Sequence, residues 1–295
     1  MDKNIKILMD EVVLASRSGK LQEAEALCQK IISIDSENVF GHVNLANIFF
    51  LKGDVGKAID IYRYALKIKP DDLLVRENLS LALIGKGMLS DAEKEINEIL
   101  KVKPDSGSAY NLLGNIYFYK KEFNNAKEYY EKVTKLVPTV GDGWSNLGNV
   151  YFELGDLNKA EACYHTAIQL NPKNPYWHTN LGRVLIKQSR IDEAIDSYKK
   201  ALEINPSMND IKQVLLSMYI FYGNKLHKEG NMEAAEKFYQ DALLIDNGNI
   251  SLYNILAGIK LFLNDYAGAA AIASVCKKNC PSIDLSKYPN LNRFK

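Results

Sequence analysis

Nine polar side chains recur at two fixed offsets in this 295-residue chain. Asn44, Asn78, Asn146 and Asn180 each stand immediately before a leucine. At the offset three residues further on stand Asn47, Asn115, Asn149, Arg183 and Asn224. Asparagine is a mediocre helix former, so a row of eight amides and one guanidinium in helical sequence calls for another reason. A side-chain amide offers two donors and an acceptor. A ladder of them can hold the main chain of an extended peptide without reading its sequence closely. One turn further on, Phe50, Phe118, Tyr119 and Phe152 fall on or beside the same face. Amides beside aromatic rings suit a peptide that presents both backbone and apolar side chains. The same asparagines could instead bond to neighbouring helices, or be solvated.

Other chemistries lack their residues. His42, His165, His178 and His227 are scattered, with no HxxxH or HExxH spacing. "GDGWSN" begins like a dinucleotide-binding turn, but Asn146 replaces its third glycine and no strand precedes it. No phosphate-binding Gly-x-x-x-x-Gly-Lys-Ser/Thr and no Gly-x-Ser-x-Gly nucleophile turn occurs. Cys28, Cys163 and Cys276 occupy positions that read as small buried hydrophobes. Cys280 lies four residues after Cys276, with no nearby histidine to complete a zinc set. The chain is therefore expected to be non-catalytic, with no cofactor and no metal. Its formal net charge of +1 speaks against a nucleic-acid partner. No apolar run approaches membrane-spanning length, and the free-cysteine pattern suits a cytoplasmic location.

The elements that position these residues repeat. Pro70, Pro104, Pro138, Pro172 and Pro206 recur at one constant interval. An alanine column runs without gaps through Ala24, Ala58, Ala92, Ala126, Ala160, Ala194, Ala235 and Ala269. Leu45, Leu79, Leu113, Leu147, Leu181 and Leu256 form a leucine column. The small residues Ala46, Ser80, Gly114, Gly148, Gly182, Gly223 and Ala257 stand beside it. Tyr62, Tyr130, Tyr164, Tyr198 and Tyr239 form an aromatic column. Eight units fit: 5–38, 39–72, 73–106, 107–140, 141–174, 175–208, 216–249 and 250–283. Each reads as two helices. In 141–174, Trp144, Leu147, Gly148 and Tyr151 share one helical face, Gly155 ends that helix and Asp156 caps the next. Small side chains belong where the two helices cross.

These columns resemble the tetratricopeptide repeat, over residues 5–283. Two units depart from its pattern. The first has Glu11 and Val12 for Leu–Gly and Ser36 for proline, and the seventh has Tyr222 for leucine and Asn247 for proline. The resemblance implies an all-α fold, a right-handed superhelical solenoid of eight helix–turn–helix repeats read here as one array over 1–295. It also implies that the first helix of each unit lines a concave peptide groove, which assigns the nine polar residues and four aromatics above to that groove. A similar asparagine row lines the repeats of the nucleocytoplasmic O-linked N-acetylglucosamine transferases. The family's clamp for a chaperone's C-terminal carboxylate is not matched, because Val43 stands where its first lysine belongs.

Residues 209–215 are a seven-residue insertion, close to two helical turns, and are expected to extend one helix from about 210 to 229. Its extra turns either pack on the preceding unit or expose an apolar ledge for a partner. The last unit is unusually apolar, so either the 284–295 tail folds over it or another subunit does, which points to self-association through the C-terminal repeats. The expected function is a scaffold or adaptor that binds an extended segment of a protein partner. Two alternatives stay open: a targeting module for an associated glycosyltransferase or methyltransferase, and a self-assembling structural scaffold.

Overall fold

The computed structural model describes residues 3–294, and among these every regular element is helical. The chain divides into two compact units, Met1–Pro172 and Lys173–Lys295.

The first unit holds five helix pairs: α1 (Lys3–Arg17) with α2 (Leu21–Ile34), α3 (Val39–Leu51) with α4 (Val55–Ile68), α5 (Leu73–Gly85) with α6 (Leu89–Val102), α7 (Gly107–Tyr119) with α8 (Phe123–Leu136), and α9 (Gly141–Glu153) with α10 (Leu157–Leu170). The second holds α11 (Pro175–Lys187) with α12 (Ile191–Ile204), α13 (Asn209–Lys228) with α14 (Met232–Ile245), and α15 (Ile250–Phe262) with α16 (Tyr266–Asn279). A 3₁₀ turn (Leu285–Lys287) and the short α17 (Pro289–Asn292) follow. Connections this short make the two helices of a pair antiparallel.

Local chemistry sets the breaks. The turn inside each pair places one residue in the left-handed region, and glycine does so at Gly19, Gly53, Gly87, Gly155 and Gly230. Lys121, Ser189 and Asn264 hold the equivalent place with φ of 60°, 63° and 59°, at the steric cost of a Cβ. Side-chain caps then start the helices: Asn38 accepts from the Gly41 amide, Ser106 from Ala109 and Asp156 from Lys159. All eight residues of the alanine column are fully buried. They lie where paired helices approach closely, and a larger side chain there would overpack the crossing.

Residues 209–215 lie within α13, which is a single helix of 20 residues. Ile211, Leu215, Met218 and Tyr219 of its apolar stripe are buried, whereas Val214 is 38% exposed. The tail covers the last pair. Leu285 and Leu291 are buried against Tyr253, Ala257, Ala273 and Cys276. The Asn290 amide N–H donates to Asn254 Oδ1 at 3.0 Å, and Asn290 Nδ2 donates to the Asn254 carbonyl at 3.1 Å. Gly258 leaves room for this, since a Cβ there would sit 2.5 Å from Asn290 Nδ2.

Candidate functional site

The two amide offsets have different fates. At the second offset the amides work within their own helix pair. Tyr62, Tyr130, Tyr164 and Tyr239, on second helices, donate their hydroxyls to the side-chain carbonyls of Asn47, Asn115, Asn149 and Asn224 on first helices. The last three distances are 2.6, 2.7 and 2.8 Å. In the sixth pair Arg183 takes the asparagine's place. Burial raises the Tyr198 phenol and the nearby Arg183 guanidinium opposes that shift. Burial also pushes Tyr62 up to about 12. A buried phenol needs an acceptor, and the asparagine supplies it.

Glycine completes this arrangement. A Cβ on Gly114, Gly148, Gly182 or Gly223 would come within 2.6, 2.9, 3.0 or 2.8 Å of the tyrosine ring of its own pair. The sequence itself carries a signal for this bond. The asparagine or arginine occurs only in pairs whose second helix carries the tyrosine. Where Ile96, Ala273 or Cys28 replaces the tyrosine, Leu81, Gly258 or Val13 replaces the asparagine.

At the first offset the amides stay nearer the surface. Asn44 Nδ2 donates to the Phe40 carbonyl of its own helix at 2.9 Å. Asn146 Nδ2 reaches Asn111 Oδ1 on the preceding first helix, also at 2.9 Å. Asn180 is half-buried on α11. Asn78 is half-buried, and no hydrogen bond of its amide occurs among the described residues. It faces a cleft of about 300 Å³ lined by Asn47, Phe50, Leu51, Tyr62, Asn78 and Leu81. Leu51 is 66% and Leu81 46% exposed there. The first helices around the cleft carry few charges. Helices α3 and α7 carry no Lys, Arg, Asp or Glu. The two charges of α5 are engaged, Arg76 with Glu95 and Glu77 with the Ser108 hydroxyl.

The aromatic candidates divide similarly. Phe50 lines the cleft. Phe118 meets Phe123 edge to face, with centroids 5.5 Å apart, and packs on the core around Tyr130 and Leu147. Phe152 is half-buried, and Tyr119 is exposed.

A family model described as the Cilia and flagella-associated protein 70 C-terminal domain matches residues 86–282, and two models described as tetratricopeptide repeat match 10–72 and 49–116. The chain belongs to this tetratricopeptide-repeat family. Solved structures share its fold. A thermophilic tetratricopeptide-repeat protein of Thermus thermophilus is 23% identical with a TM-score of 0.54, over 61% of this chain and 98% of that one. A tetratricopeptide repeat protein from Parabacteroides merdae is 14% identical with a TM-score of 0.58, over 88% and 100%. A chain of the APC/C hetero-tetramer Cut9–Hcn1 is 17% identical with a TM-score of 0.52, over 93% and 52%. No curated protein matches the sequence significantly.

As a tetratricopeptide-repeat protein, the chain has the architecture of proteins that generally mediate protein–protein interaction. Its helices differ in surface charge, which the balanced net charge conceals. Helices α11 and α13 carry Arg183, Lys187, Lys212, Lys225 and Lys228 against a single carboxylate, Asp210. Their paired helices α12 and α14 carry Asp192, Glu193, Asp196, Glu203, Glu233, Glu236 and Asp241 against three lysines. Among the described residues no group of three or more His, Cys, Asp or Glu could hold a metal, and no helix is long and apolar enough to cross a membrane.

Proposed function

We propose that this tetratricopeptide-repeat protein is a non-catalytic scaffold. The first-helix face of its first unit binds an extended, largely uncharged and apolar segment of a partner protein. The observation that carries this reading is the cleft between α3 and α5. It sets the amide of Asn78 beside Phe50, Leu51 and Leu81, next to a helix whose two charges are engaged, Arg76 by Glu95 and Glu77 by a serine hydroxyl. An amide beside apolar walls suits a peptide whose main chain bonds to the amide while a side chain fills the cleft. Asn47 contributes to the wall, but its carbonyl already serves Tyr62. Asn44, Asn115, Asn146 and Asn149, with Phe118, Tyr119 and Phe152, extend the proposed surface along the other first helices of the first unit, and Asn180, Arg183 and Asn224 hold the corresponding places on α11 and α13 of the second.

The test is a pull-down from source lysate read by mass spectrometry. The chain is compared with a Leu51→Glu, Leu81→Glu variant and with Asn78→Ala. Both leucines are exposed, so charge can be placed there without disturbing the core. Partners lost from both variants at unchanged helicity support the reading. Partners retained by both overturn it.

A further inference from the structure

We infer that the α11–α13 face of the second unit binds an acidic segment of a partner protein that inserts one bulky apolar side chain. This rests on the reading of first-helix faces as peptide surfaces, and it names a ligand opposite in character to that of the first unit. A cleft of about 460 Å³ is lined by Ile186 of α11 and by Gln213, Val214, Ser217, Met218, Phe221 and Tyr222 of α13. Its walls are chiefly apolar. Phe221 is 62% exposed, with its ring set edge to face against Tyr222 at 5.1 Å. Gln213 and Val214 come from the seven-residue insertion, so the two added turns build one wall of the cleft.

Cations flank these lining residues along both helices. On α11, Arg183 lies three residues before Ile186 and Lys187 directly follows it. On α13, Ser217, Phe221 and Lys225 continue one row at i, i+4 and i+8, and Lys212 precedes Gln213. Lys187, Lys225 and Lys228 are exposed. Asp210 is the one carboxylate on either helix. Carboxylates on either side of an apolar anchor would complement these cations. A nucleic acid could use the cations, but its phosphates would gain nothing from Ile186, Val214 and Met218, and those walls favour a peptide.

The experiment uses the full chain and fluorescence anisotropy. The probe is a short fluorescein-labelled peptide of Glu and Asp with one central Trp. Three controls accompany it: the same peptide with Lys for every acid, the same peptide with Ser for Trp, and a labelled single-stranded RNA of similar length. The acidic Trp peptide is expected to bind best, and to weaken as salt is raised from about 50 mM to about 300 mM. Phe221→Ser and the pair Lys187→Glu, Lys225→Glu should each weaken it at least about tenfold. All three residues are exposed, and matched melting temperatures would show the fold intact. Leu51→Glu, Leu81→Glu should leave it unchanged, so this result and that of the first unit's cleft are read independently. Four outcomes would overturn the inference: no binding, equal binding of the Lys or Ser peptides, tighter binding of the RNA, or a Phe221→Ser variant that binds normally.

Discussion

In the third helix pair, Ser80, Leu81 and Ile96 occupy the places that Gly114, Asn115 and Tyr130 occupy in the fourth. If these three positions form one packing unit, the third pair's set should be transplantable as a whole but not in parts. Gly114→Ser alone puts a Cβ 2.6 Å from Tyr130 Cε1 and 2.8 Å from Cδ1 and Cζ. That contact is far inside van der Waals range, and overpacking of this kind costs about 1–3 kcal/mol. Asn115→Leu alone removes the acceptor 2.6 Å from the buried Tyr130 hydroxyl. An unsatisfied buried donor costs about 1–3 kcal/mol. Tyr130→Ile alone empties the ring's site above Gly114 and should cost roughly 2–4 kcal/mol. The triple variant removes the clash, the orphaned donor and most of the void together. Its loss should fall well below the summed single losses, by at least about 2 kcal/mol. Urea unfolding followed by circular dichroism measures all four variants. Additive losses would refute the packing unit and show that the Tyr130–Asn115 bond is incidental.

Three further outcomes are expected. The phenols of Tyr62, Tyr130, Tyr198 and Tyr239 are raised in the folded state by burial. Their stabilisation is therefore complete below about pH 10 and is lost as pH rises through the folded values, about 12 for Tyr62; melting temperature should fall steeply above about pH 10, and less steeply in Tyr62→Phe. Burial pushes the Cys28 and Cys163 thiols up to about 12 and Cys276 up to about 11, so a thiol-reactive dye at about pH 8 should label half-exposed Cys280 well before the other three; labelling of all four at one rate would contradict this. Leu291→Ala removes a fully buried side chain from the tail's cover and should cost about 2–4 kcal/mol with increased dye binding to the uncovered last pair, measured by thermal melting and fluorescence.

Much of the fold was legible because its causes are local and recur. A glycine before an acidic cap, as at Gly155–Asp156, breaks a helix through its own backbone and neighbours. An alanine that returns once in every unit marks a helix crossing whatever lies beyond it. The insertion at 209–215 could be read as helix because seven residues keep an apolar stripe in phase.

The site was less legible, and the reasons are particular. Asn47, Asn115, Asn149 and Asn224 recur as a ligand ladder would, but their carbonyls face tyrosines on the second helix of their own pair. The matched loss of both partners at Leu81 and Ile96 was present in the sequence and acquires meaning only when the two helices are set against each other. The cationic face of α11 and α13 was also written there, cancelled within a net charge of +1 by the acids of α12 and α14.

By itself the sequence determined the period, the helix pairs, the crossings and the turns, since backbone preference and hydrophobic repetition act over a few residues. Only the tertiary structure decided which amides are committed to tyrosine and which, like Asn78, face a cleft. It also decided that the tail covers the last pair and that the added turns of α13 form a wall. The direction of a side chain depends on atoms brought near through space, and chain spacing does not encode them.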